Sequence, residues 1–506
     1  MNDHPPEPTP TLAALRAEAA EFLHAQSLDG WQNWAWGEES HLEQLYAAHP
    51  GLFTGPSLAT VRQARQQAED DSGATAMFEN YLEREWIGRQ TAALQDQLAN
   101  REAAAEVTLE GETFAFRQLP VKLANEADGA RRASLYAAAD PVYRELNPLR
   151  VQMLQTAYRL SRELGYDGYI ALATRQKSLD LEQLRGTCHT WLEQTCDLYR
   201  QLLDEQLQQE LGAGRDAFTR ADTARLLRCQ RFDPLFPRER LLPALEETLR
   251  GLGIELSRQK NILLDTEDRA RKVPRAVMFP IDAPQDIRIS IRPVGGIDDF
   301  AALFHEMGHA QHFAHTTETA WEFRNVGSSN AVTEVFAFLF EHLLDDAGWL
   351  QQVLGLGGEE AQAFLRSRAF RRLFMLRRYC GKLEYESRLH AGVADPAAEY
   401  ADLLSAALLY CREASEELRY LADVDELFYS ADYLRAWFLE AQLTEHLRHR
   451  FGPAWYTTPA AGMFLQQLWA TGLKEEPAGF ARRAGLGALN PAVLQAEIAR
   501  LAGMRS

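Results

Sequence analysis

The sequence predicts a mainly α fold built in more than one region, and three observations predict it. Most segments repeat their apolar residues at helical period and are rich in Ala, Leu, Glu, Gln and Arg, with Pro and Gly largely confined to the breaks. Strand-like alternation is limited to two short stretches. A chain of 506 residues exceeds what one hydrophobic core usually organises, which favours separate regions with a cleft between them. The boundary is set near Ser178 to Leu181, dividing an N-terminal helical region with a small hairpin (1–180) from a second helical region (181–506).

Taken in order, Leu12 to Gln26, Pro148 to Leu164, Leu181 to Glu210, Gln362 to Leu389 and Tyr433 to Arg448 are too long and too charged on one face to be strands. From Glu106 to Phe116, the residues Val107, Leu109, Phe114 and Phe116 alternate with polar ones around Glu110-Gly111, the pattern of a hairpin. Between Val277 and Pro293 the chain turns strand-like again, with Ile287, Ile289 and Ile291 alternating against Arg288, Ser290 and Arg292. Pro293, Gly295 and Gly296 end that strand, and Asp298 or Asp299 can cap a helix starting at Phe300. Gly212 to Arg215 and Gly355 to Gly358 read as exposed turns.

Composition excludes several classes of function. With 53 basic and 72 acidic residues the net charge is −19, so the overall field repels phosphate backbones and anionic lipid, and neither nucleic acid nor membrane is expected as a partner. The most apolar stretch, Val335 to Leu344, is interrupted by Glu341 and His342 and is too short to span a bilayer. Asn2 to Pro8 lack the basic start and apolar run of a secretory leader, which points to a cytoplasmic protein. The five cysteines, Cys188, Cys196, Cys229, Cys380 and Cys411, are scattered without a C-x-x-C pair and read as reduced thiols.

The centre of the sequence is His305-Glu306-Met307-Gly308-His309, an H-E-x-x-H pattern. Chance would produce it roughly 0.03 times in a chain of this composition. On a helix, positions i and i+4 differ by about 40° in azimuth, so both imidazoles can reach one Zn²⁺. Glu306 projects about 100° away from His305. It is poorly placed as a ligand but can accept a proton from a water at the same metal. Phe300, Leu303, Phe304 and Met307 occupy the other face, which puts the histidines between core and cleft.

A catalytic zinc usually takes three protein ligands. Glu334, on a helix starting around Gly327-Ser328-Ser329-Asn330, is one candidate for the third, and His315 is the other. In the longer pattern with a third histidine a glycine breaks the helix, and here His312 stands at that position. An unbroken helix would carry His315 along its axis away from the metal, which favours Glu334. His312, at i+7 from His305, reads as a structural or supporting histidine. Glu341, at i+7 from Glu334, is either a solvated carboxylate or an acceptor for the free N–H of a ligand imidazole.

With His305-Glu306-Met307-Gly308-His309-Ala310-Gln311-His312, then Thr333-Glu334-Val335 and Glu341, the chain resembles the thimet oligopeptidase and oligoendopeptidase F family of zinc peptidases, most specifically from Gly295 to Leu344. The resemblance implies a helical body around a deep active-site channel with a small sheet beside the motif helix. It implies one Zn²⁺ held by His305, His309 and Glu334, Glu306 as general base, and short peptides as substrates. It also implies that a strand beside the motif helix, here Asp286 to Arg292, holds the peptide by backbone pairing. The family's tyrosine-bearing C-terminal loop corresponds to Phe428 through Trp437, although the upstream histidine and the glycines are missing. Tyr429 and Tyr433 are thus the candidates to donate hydrogen bonds to the substrate oxyanion, and Arg435 a candidate for that pocket or the substrate carboxylate. Related carboxypeptidases and peptidyl-dipeptidases place His before the ligand Glu, where Thr333 stands. Those activities, and a silent zinc-containing peptide-binding protein, remain the alternatives.

Overall fold

The computed structural model describes residues 10–67, 73–273 and 275–503; Asn2 to Pro8, read above for a leader, lie outside them. The fold is mainly α, with helix outweighing strand 71% to 5%. Leu12–Trp36, Gly358–Ala391 and Tyr429–Phe451 are helices that contain the whole segment whose apolar period predicts them, and Asp140–Glu163 starts well before Pro148 and stops one residue short of Leu164. The predicted helix Leu181 to Glu210 is two, Leu181–Gln194 and Cys196–Glu210. Between them the hydroxyl of Thr195 donates to the carbonyl of Trp191 at 2.7 Å, the local side-chain competition that lets a helix break without a glycine.

One apolar core runs from Leu15 and Phe22 in the first helix to Leu501 and Ala502 near the end of the described chain, and includes Leu303, Phe336 and Leu434. A smaller core, with Val107, Phe114 and Leu135, sits under the hairpin. That hairpin pairs β1 (Glu106–Leu109) with β2 (Glu112–Ala115) around Glu110 and Gly111. Both turn residues have positive φ, 55° and 86°, as a tight two-residue hairpin turn requires.

Three strands position the site. β3 (Ile262–Asp265), β4 (Val277–Asp282) and β5 (Asp286–Ser290) form a sheet in the order β3-β5-β4, with β5 parallel to β3 and antiparallel to β4. β5 is therefore central, which accounts for the complete burial of Ile287 and Ile289. Its backbone is committed on both sides, so the expectation that Asp286 to Arg292 pairs with a peptide is corrected: the free edge beside the motif helix belongs to β4.

β5 leads into the motif helix, Ile297–Ala314, which begins three residues before the expected Phe300. Asp299 does not cap it from outside. Its Oδ2 accepts the amides of Val294 and Gly295 at 2.6 and 2.7 Å and pins the turn before the helix, while Gly296, at φ 93°, is the N-cap. The ligand helix, Ala331–Glu341, packs directly on the motif helix. A Cβ on Gly308 would lie 2.6 Å from Cα of Ala337 and closer still to the carbonyl oxygen of Phe336. The glycine inside the motif is the clearance that lets the two helices meet. Among the described residues no helix is long and apolar enough to cross a membrane.

Candidate metal centre

Helical spacing stacks His305 and His309 on one side of the motif helix, their rings 5.0 Å apart. Glu334, in the first turn of the ligand helix, reaches across to both. Its Oε2 lies 3.4 Å from Nε2 of His305 and 3.6 Å from Nε2 of His309, and one donor atom from each of the three residues falls within 4.8 Å of the others. Donors about 2.1 Å from a common tetrahedral centre stand about 3.4 Å apart. The donor set thus fits a small divalent cation.

The remaining polar atoms of these residues are already used. Nδ1 of His305 meets Oε2 of Glu341 at 3.1 Å, and Nδ1 of His309 meets Oγ1 of Thr333 at 2.8 Å. Oε1 of Glu334 accepts the hydroxyl of Tyr429 at 2.6 Å. Oε2 of Glu334, by contrast, is buried without any hydrogen-bond partner. A buried carboxylate oxygen aimed at two imidazole nitrogens, with no other partner, is placed where a metal ion could satisfy it. His315 does not join the cluster. The helix continues unbroken past His309, and Nδ1 of His315 folds back to the carbonyl of Gln311 at 2.9 Å. His312 is buried, with Nε2 on the carbonyl of Gly472 at 3.1 Å.

The electrostatics follow from burial and these contacts. Burial alone would lower the pKa of His305, but Glu334 and Glu341 outweigh it and hold that pKa well above the ordinary value. His309, with less carboxylate contact, is lowered by burial to about 4. Burial works to raise Glu341, yet His305, His342 and Arg368 keep it far below the usual carboxylate range. Glu306 is pushed up to about 7, chiefly by burial. Its Oε2 accepts the outward-facing amide of Met278 in β4 at 2.7 Å, so the edge strand fixes the group that H-E-x-x-H spacing assigns to proton transfer.

Glu306, His305, His309 and Glu334 line a cavity of about 790 Å³ together with Tyr433 and Trp437. Tyr433 and Trp437 stack at 5.8 Å, and the Tyr433 hydroxyl has no hydrogen-bond partner among the described residues. Burial, then the charge of Glu334, keeps that phenol protonated. Tyr429 stands behind the donor set, its hydroxyl spent on Glu334. Arg435 is elsewhere: it is buried against Asp432 at 2.7 Å and Ser329 at 3.1 Å. Phe428 through Trp437, which the resemblance matches to a loop and whose end from Tyr433 the apolar period predicts as helix, follows Leu427 and begins at Phe428, with φ 48° and 54° for that pair, and is helical from Tyr429 onward. Sequence reasoning passed over Thr333 and Met278 as partners; a hydroxyl beside a ligand carboxylate was the only local signal for the first. Compared with known proteins, the chain matches no family model and no curated protein.

Proposed function

We propose that this protein is a zinc-dependent peptidase of the thimet oligopeptidase and oligoendopeptidase F type, cleaving short peptides. The observation that carries the proposal is the unpartnered Oε2 of Glu334 facing Nε2 of His305 and His309, with a carboxyl group at Glu306 on the same cavity wall. Two imidazoles and one carboxylate suit Zn²⁺ among the common divalent ions. When bound, zinc supplies positive charge that acidifies water and polarises a carbonyl.

The chain's own residues supply the rest. Glu306, oriented by the Met278 amide and poised near neutrality, takes the proton of the attacking water and returns it to the leaving amine. The free hydroxyl of Tyr433 donates to the oxygen on which charge develops. Tyr429 keeps its sequence-based candidacy only through the carboxylate it orients. The free edge of β4 offers backbone carbonyls to an extended peptide, a mode of recognition that tolerates many side chains. A cavity of about 790 Å³ admits a few residues of extended chain and excludes a folded domain.

The test is to incubate the purified protein with a mixture of internally quenched peptides, with and without a chelator, and to measure bound zinc. Chelator-sensitive cleavage with one zinc per chain is expected. Stoichiometric zinc without cleavage of any peptide would replace this reading with that of a zinc-containing binding protein.

A further inference from the structure

A second cavity, of about 580 Å³, shares no lining residue with the first. It lies between the helices Ala74–Ala104 and Asp140–Glu163 and the segment that runs up to Leu427. Ile87, Leu98, Leu154, Leu421, Val424 and Leu427 make its walls largely apolar. Its charged groups are answered by the chain itself except at one end. Arg150 pairs with Glu102 at 2.5 Å. Arg84 donates to the carbonyls of Val326 and Gly327 at 3.2 and 3.5 Å, and its charge acts on Glu85. Asp425 meets Lys382 through Oδ1 at 2.7 Å, but its Oδ2 is buried without a partner. Next to it, Glu426 is exposed, and its carboxylate has no hydrogen bond or ion pair among the described residues. An apolar chamber with an unmatched carboxylate at its edge suits a cation carried on an apolar body.

The wall of this cavity also mounts the metal centre. Leu427 and Phe428 stand at φ 48° and 54°, a left-handed conformation that strains residues other than glycine and persists only where the surroundings hold it. The amide of Leu427 donates to the hydroxyl of Tyr169 at 2.7 Å, the amide of Asp425 to Oε1 of Glu386 at 2.7 Å, and the hydroxyl of Ser430 to Oε2 of Glu386 at 2.5 Å. Tyr169 and Leu427 both line the second cavity. Just past the bend, Tyr429 donates to Glu334 and Tyr433 lines the first cavity. A molecule seated against Tyr169 and Leu427 therefore favours the bend that aims both tyrosines over any other arrangement of it.

We propose that this cavity is a second binding site, for a small organic cation with an apolar body, and that its occupancy strengthens metal binding at His305, His309 and Glu334 through the bend at Leu427 and Phe428. The site stands on the cavity alone, whereas the coupling rests on the metal centre of the peptidase reading.

The probe is phenylbutylammonium, set beside phenylbutanol and phenylbutyrate, which keep its apolar body and change its charge. Calorimetric titration of the purified protein is expected to find a single site that takes the ammonium about tenfold more tightly than the alcohol and leaves the carboxylate unbound. Glu426→Gln should bring ammonium and alcohol close to parity, and Ala157→Trp, which fills the cavity from the helix Asp140–Glu163, should lose both. No binding of the ammonium, equal wild-type affinity for ammonium and alcohol, or a preference that survives Glu426→Gln overturns the site. In competition with a chromogenic chelator, saturating ammonium should raise wild-type zinc affinity about fivefold, and the same concentration should leave that of Glu426→Gln nearly unchanged. Binding in the cavity with wild-type zinc affinity unmoved overturns the coupling and leaves the peptidase reading intact. A protein that holds no zinc overturns the peptidase reading and the coupling with it, and the titration still decides the site.

Discussion

Two buried polar clusters meet the same helix, Tyr429–Phe451, and they differ in one respect. At Asp432 the charges close on themselves: Oδ2 meets Nζ of Lys177 at 2.5 Å, and Oδ1 meets Arg435 at 2.7 Å and the Ser329 hydroxyl at 2.7 Å. At Glu334 one oxygen is satisfied by Tyr429 and the other is left facing two imidazoles. The first cluster ties three segments together, with both oxygens of Asp432 taken by side chains of the protein. The second brings together donors that could hold a cation. Burial alone does not separate scaffold from site, since both carboxylates are buried; what sets Glu334 apart is that its open oxygen faces two imidazole nitrogens.

Substitutions can break this contrast from either side. The largest effect is expected at the open cluster. Glu306→Gln should lower turnover of a peptide about 10²- to 10⁴-fold while retaining one zinc per chain, whereas Glu334→Ala should lose both; activity assays beside elemental analysis check the pair. Next comes the closed cluster. Asp432→Ala leaves Lys177 and Arg435 as unpaired buried cations and should cost about 3–5 kcal/mol in denaturant unfolding, with zinc stoichiometry unchanged in the protein that remains folded. A metal defect there equal to that of Glu334→Ala would erase the distinction.

Glu341→Gln sharpens the comparison within the site. It removes the charge on the Nδ1 side of His305 and should weaken zinc binding about 10- to 100-fold, measured by competition with a chromogenic chelator. The smallest effect lies away from the metal, at His390. Burial lowers its pKa from 6.5 to about 3, so the folded chain holds it neutral. A depressed histidine contributes stability that is fully present above pH 6.5 and is lost as the pH falls toward 3. His390→Phe keeps a ring against Tyr169 and Phe428 and gives up the contact with Tyr158. It should flatten the acid limb of stability between pH 6.5 and 4 by about one proton's worth, at a cost of about 1 kcal/mol at pH 7; melting curves across that range test it.

The part of the site most legible in the sequence is the part whose chemistry is local. His305, Glu306 and His309 share one helix, and helical period alone predicts their relative directions. Glu334 was reachable because an unbroken motif helix disqualifies His315, a mechanical argument that needs no coordinates. Tyr429, Tyr433 and Arg435 could not be sorted the same way. All three lie on one helix turn or the next, but Glu334, the cavity wall and Ser329, which decide what each one does, come from segments about a hundred residues earlier or from across the fold. The strand order was likewise invisible: alternation marks Ile287, Ile289 and Ile291 as half of a sheet, not as its middle. Thr195 divides a helix whose apolar period continues on either side, because a hydroxyl bond to a carbonyl leaves no mark in hydrophobicity.

One residue of β4 has a further consequence. Met278 points its amide away from β5, and Pro280, two residues on, shares that orientation. With the first amide held by Glu306 and the second lacking a hydrogen, the rim of the sheet has little left to offer a long visiting strand. A short guest loses little by this, but another β-rich chain, including a second copy of this one, finds no continuous ladder to extend along β4. The same edge that can cradle a fragment is thereby guarded against runaway self-assembly.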